Sequence, residues 1–98
     1  MKTTRTLEND ILTVSLEGNL DNLSAPSVAQ EIETDIDLAN SMIIDMRDLN
    51  YISSAGLRVL LSIHKKMSAK GGMTVKNVNS QNLELFEFTG FDKFINIE

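Results

Sequence analysis

The chain has no cysteine and no tryptophan, and a single histidine among its 98 residues. Without cysteine there is no disulfide framework, no thiolate zinc site and no cysteine nucleophile, and a reducing, cytoplasmic setting is expected. No stretch approaches the roughly eighteen apolar residues that span a bilayer, and the opening MKTTRTLEND has no apolar core, so no membrane insertion is expected. A net charge of −5 and an aromatic content of 5% do not supply the basic, stacking-rich surface that nucleic acid needs. Direct nucleic acid binding is therefore not expected, and the partner is read as another protein. His64 follows Ser54 along one predicted helix at a distance of roughly 15 Å, which excludes a serine, histidine and acid triad. A partly buried structural role is expected for His64. No cluster suited to a metal is present, nor is a G-x-x-x-x-G-K-S or G-x-G-x-x-G loop, so no metal and no cofactor is expected.

The composition, 42% apolar and 23% charged, is that of a folding chain, and its length suits one domain over residues 1–98. Residues 11–17, ILTVSLE, alternate as a half-buried strand, with Leu12, Val14 and Leu16 on one face. The ENDI turn joins it to a weaker strand at about 3–7, and Gly18 is expected to end it. Ser24 is the expected N-cap of a helix with Pro26 in its first turn and Val28, Ile32, Ile36 and Ala39 at helical spacing. SMIIDM, 41–46, reads as a central strand covered on both faces, followed by RDLNYI as a link. A helix over about 54–69 ends at Lys70, Gly71 and Gly72, with the basic residues near its last carbonyls. A strand at 73–78, a short helix capped at Ser80 with Leu83 and Phe86 inward, a turn at Gly90 and a brief strand at 94–97 complete the chain. The β-β-α-β-α-β-α-β order implies an α/β fold with a mixed, mostly parallel sheet of four to five strands and helices packed on it.

Charge is uneven. Asp21, Glu31, Glu33, Asp35 and Asp37 occupy residues 21–40 with no base, whereas Arg58, Lys65, Lys66 and Lys70 occupy 58–70 with no acid. These are read as two solvated helix faces of opposite sign. Asp45 and Asp48 are the closest acidic pair near a strand end, too few for a metal site; Asp45 alone, near the end of a central strand, has the place of a receiver phosphoacceptor, but the chain is short for that fold and lacks its early acidic pair.

Ser53-Ser54-Ala55-Gly56 is the segment that carries most. One of the serines caps the helix, a role worth about 1 kcal/mol relative to alanine. The loop also follows the carboxyl end of a central strand, where α/β sheets place their sites. Gly56 is expected to leave the first-turn N–H groups accessible, and a phosphoryl group on either serine would lie at the positive end of the helix.

The stretch IIDMRDLNYISSAGLRVLL resembles the signature of STAS domains, in particular of bacterial anti-sigma factor antagonists: a strand, an Asp, a loop, then D-S-[S/T/A]-G-L opening a helix. GNLDNLSAPSV is similar to the family's G-x-L-D loop, and LFEFTGFDKFINI to its closing segment. The resemblance implies a partner-switching antagonist, a phosphoprotein of signal transduction and transcription regulation, monomeric when free. Its unphosphorylated form would bind an anti-sigma factor serine kinase and free a sigma factor; phosphorylation would end the binding, and a PP2C-type phosphatase would restore it. The phosphorylation site maps to Ser54, and Asp21 to the family's loop acid. Ser53 stands where an Asp usually does and is the alternative acceptor. Asp21, Tyr51, Ser53, Ser54 and Gly56 are the expected partner-binding residues, with Ile52 and Leu57 assigned to the core. The alternative implied by the same resemblance is a regulatory subunit of a membrane transporter or lipid-transport ATPase.

Overall fold

The computed structural model describes residues 1–98. The elements are β1 (Lys2–Glu8), β2 (Ile11–Leu20), α1 (Ala25–Ile36), β3 (Ser41–Ile52), α2 (Ser54–Ser68), β4 (Met73–Lys76), α3 (Ser80–Thr89), a 3₁₀ turn (Phe91–Lys93) and β5 (Asn96–Ile97). The sheet runs β1-β2-β3-β4-β5, with β1 antiparallel and every other pairing parallel. The expected hairpin forms through Asn9 and Asp10, both with φ near +60°, as a two-residue turn requires to match strand twist.

Register places Leu12, Met42 and Met73 in one row and Val14, Ile44 and Val75 in the next, all buried. Val28, Ile32 and Ile36 of α1, Leu60, Ile63 and Met67 of α2, and Phe86 of α3 close over that face. The opposite face has no helix: Thr13, Ser15, Ile43 and Thr74 are half-buried there. β3 is central as expected, but it is not covered on both faces; Ile43 points to the open side.

Two strands extend further than their composition suggests. Gly18 does not end β2, which runs on to Leu20, and RDLNYI is not a link but the second half of β3. Between the partners Ser15↔Asp45 and Asn19↔Tyr51, β3 takes two more residues than β2. Such bulges stretch the inward spacing to Met46, Leu49 and Ile52, so the period of two is lost although pairing continues.

The charged faces of α1 and α2 are not independent. The helices pack side by side, Lys66 bridges to Glu33, and Arg5 reaches Asp35. The Lys70 ammonium donates to the carbonyls of Ile36 and Ala39, thereby neutralising the end of α1 and not of its own helix. His64 is half-buried, edge-on to the Phe91 ring.

Candidate functional site

β2 and β3 end side by side at the carboxyl edge of the sheet, where Leu20 and Ile52 are register partners. Asp21 and Ser53 are the next residues along each chain segment, so the loop acid and the serine pair start from neighbouring strand ends. The Leu20 carbonyl joins the two, accepting the Ser53 backbone N–H at 2.9 Å.

The serines differ in what they do. Ser53 is the N-cap: its backbone is extended and its Oγ accepts the Gly56 N–H at 3.2 Å. Ser54 is the first helical residue, exposed, its hydroxyl free of protein partners. Ser53→Ala is therefore expected to cost about 1 kcal/mol. Ser54→Ala should stay within about 0.5 kcal/mol of wild type, as for ordinary surface changes. Urea denaturation of both variants checks this, and equal losses would contradict the assignment of the cap.

Gly56 does not leave its N–H open. It is buried, and a Cβ there would lie 2.5 Å from the Leu20 carbonyl oxygen and 2.8 Å from Leu20 Cγ. Its role is to let α2 approach the end of β2. Buried there, it bears on partner binding through the helix start it permits and not through a side chain.

Asp21 shapes the loop before α1. Its Oδ1 accepts the N–H groups of Leu23 and Ser24 at 3.0 and 3.1 Å. Ser24 precedes α1 but does not cap it; its backbone is already helical, and its hydroxyl donates to the Asn19 carbonyl at 2.7 Å. The backbone N–H of Ser24, then that of Leu23, holds the Asp21 carboxyl below its ordinary pKa, with partial desolvation opposing. A group lowered in the folded state contributes stability above its unfolded value of 3.8 and loses it as pH falls through the lower folded value. Asp21→Asn should accordingly flatten the fall of the urea midpoint below about pH 4. An unchanged acid limb would contradict the loop's hydrogen bonding.

Tyr51 is 49% exposed at the end of β3, while Ile52 is buried and Leu57 packs half-buried on the core, as expected. Beside Ser54 a groove of about 490 Å³ is lined by Tyr51, Gln81, Glu84, Leu85 and Phe88. Its far wall, α3, is held by asparagines. Asn79 caps α3, accepting the Asn82 N–H at 2.8 Å, so Ser80 is not the cap. The Asn79 and Asn82 amides donate to the Leu49 carbonyl, and Asn82 is only 2% exposed. Phe88, 90% exposed, is the part of the site that sequence reasoning missed. Its exposure was readable, two residues from the inward Phe86 and on the opposite side of the helix, but its place beside Ser54 was not.

Asp45 belongs elsewhere. It lies in mid-strand on the helix-free face, well before the carboxyl end at Ile52, and accepts from Asn77 Nδ2 at 2.9 Å and the Arg47 N–H at 3.0 Å. The Asn77 hydrogen bond leads the lowering of its pKa, with burial opposing. Its position is not that of a receiver phosphoacceptor.

Residues 3–98 match the family model described as the STAS domain. The chain is 30% identical over 91 residues to the anti-sigma-B factor antagonist of Bacillus subtilis, covering 92% of this chain and 83% of that protein. It is 29% identical over 90 residues to the anti-sigma F factor antagonist of Paenibacillus polymyxa, covering 89% and 77%. The crystal structure of an anti-sigma factor antagonist from Mycobacterium paratuberculosis superposes with a TM-score of 0.89 at 24% identity, covering 98% of this chain and 83% of that one.

Proposed function

The chain belongs to the STAS domain family, and from that premise we propose that residues 1–98 act as one STAS-like domain serving as an anti-sigma factor antagonist. The unphosphorylated form binds an anti-sigma factor that is also a serine kinase and so frees a sigma factor. Phosphorylation on Ser54 ends the binding, and a PP2C-type phosphatase restores it. The protein is then a substrate and a binding module of the cytoplasm, monomeric when free, and not an enzyme.

The observation that carries this reading is the contrast between the serines: Ser54 presents an uncommitted, exposed hydroxyl at the rim of a groove, whereas Ser53 Oγ is engaged by the Gly56 N–H. The contrast favours Ser54 over Ser53 as acceptor. Tyr51 and Phe88 flank it with exposed aromatic area, the kind of surface that dominates interface energetics, and Asp21 follows the neighbouring strand end. The transporter-subunit reading is less favoured, because the relatives near 30% identity are named as antagonists.

Incubation with the cognate kinase, followed by intact mass and fragment mapping, tests the site. One phosphate is expected on wild type and on Ser53→Ala, and none on Ser54→Ala. Full modification of Ser54→Ala would move the site to Ser53.

A further inference from the structure

We propose that Arg58 is the counter-ion of phosphorylated Ser54, and that the pair withdraws this cation from the exposed face of α2 when the protein is modified. The inference rests on the reading of Ser54 as the acceptor. Residues four apart on a helix are surface neighbours, with Cβ atoms about 5–6 Å apart, and an anion on the N-terminal side of the cation is the favoured order. Ser54 and Arg58 stand in that relation, and both are exposed.

Arg58 has no partner of its own. It makes no ion pair, and the acid across the α1–α2 groove from it, Glu33, is engaged by Lys66. The groove on the other side of Ser54 offers a phosphate no cation; its one charged lining residue is Glu84. Asp21, at the neighbouring strand end, is also an acid. The Gly56 N–H is already taken by Ser53 Oγ. A dianion on Ser54 is thus repelled from the α3 side and drawn along α2, where residues 58–70 hold four bases and no acid. The planar guanidinium can take two phosphate oxygens at once, which a lysine cannot.

The consequence is a change of surface and not only an added charge. Unmodified, α2 presents a free guanidinium one turn from Ser54 to whatever docks there. Phosphorylated, the same face presents a pair with residual negative charge, and any partner carboxylate that docks on Arg58 loses its ligand and meets an anion instead.

Phosphoserine placed at residue 54 during translation tests the pair without any kinase. The second ionisation of the phosphate, followed by ³¹P NMR, is expected to rise by about 0.3 pH units in Arg58→Gln relative to wild type. Arg58→Lys should recover part of the shift. Lys65→Gln, whose charge lies more than a Debye length of about 8 Å along the helix, should leave the value unchanged. The Arg58 Nε–H resonance should also move on phosphorylation. An identical phosphate titration in wild type and Arg58→Gln would overturn the proposal. Because the phosphate is installed directly, that failure is distinct from kinase mapping that places modification on Ser53, which would overturn the functional reading and leave the pair intact.

Discussion

Gly56→Ala is expected to destabilise the protein by about 3 kcal/mol, in the upper range for overpacking a filled site. In an ordinary helix the substitution would stabilise by about 1 kcal/mol, so the sign of the effect tests the packing and not helix propensity. The obstacle is backbone: the new Cβ would stand 2.5 Å from the Leu20 carbonyl oxygen, which cannot rotate away because it also accepts the Ser53 N–H. Ile52 Cγ2, at 3.2 Å, closes the other side. Relief requires α2 to lift from the end of β2, which would break the junction that sets the start of α2. At about 4–8 °C per kcal/mol for a domain of this size, thermal unfolding should drop by more than about 10 °C. A midpoint equal to or above wild type would show that the helix start is not held by this contact.

The elements whose inward residues keep a regular period could be read from the sequence. Leu12, Val14 and Leu16 set β2, and Val28, Ile32 and Ile36 set α1. Where tertiary structure alters the period, the pattern misleads. The extra residues in β3 space Met46, Leu49 and Ile52 by three, and half of a twelve-residue strand looked like a polar link. Cap positions were legible only to within a residue: Ser53-Ser54 offers two competent side chains, and Ser80 was expected where the extended backbone and the side-chain bond fall on Asn79. The candidate site was legible along the β3–α2 segment, whose residues are consecutive. The contribution of α3 was not, because Phe88 reaches the site only through the docking of Asn79 and Asn82 on the end of β3. The acidic and basic helix faces pair with each other for the same reason: their adjacency is a property of the fold.

Phosphorylation of Ser54 is expected to weaken partner binding by at least about 100-fold while leaving the fold intact. The two halves of that statement have different physical origins. Ser54 is the exposed first residue of α2, and a phosphate there adds about −1.5 to −2 charges at the positive end of the helix, a favourable local term near 1 kcal/mol. Because Ser54 is exposed, the modification adds nothing to the buried core. In a complex that covers this position the same group must be taken out of water, and the groove beside it offers no cation, Glu84 being its one charged lining residue. Burying an ion without a new partner costs several kcal/mol, and each 1.4 kcal/mol is tenfold in affinity. Pairing with Arg58 reduces the charge that must be buried but removes a cation from the surface the partner meets, so it does not rescue the complex.

The most direct measurement is a calorimetric titration of the anti-sigma factor captured by the unmodified protein against two forms, unmodified and homogeneously phosphorylated at Ser54, with circular dichroism on each. The expected result is superimposable spectra and a dissociation constant raised by about two orders of magnitude or more. Equal affinities for the two forms would contradict the switch, and a loss of binding accompanied by loss of the folded spectrum would contradict the claim that the phosphate acts at the interface and not on the fold.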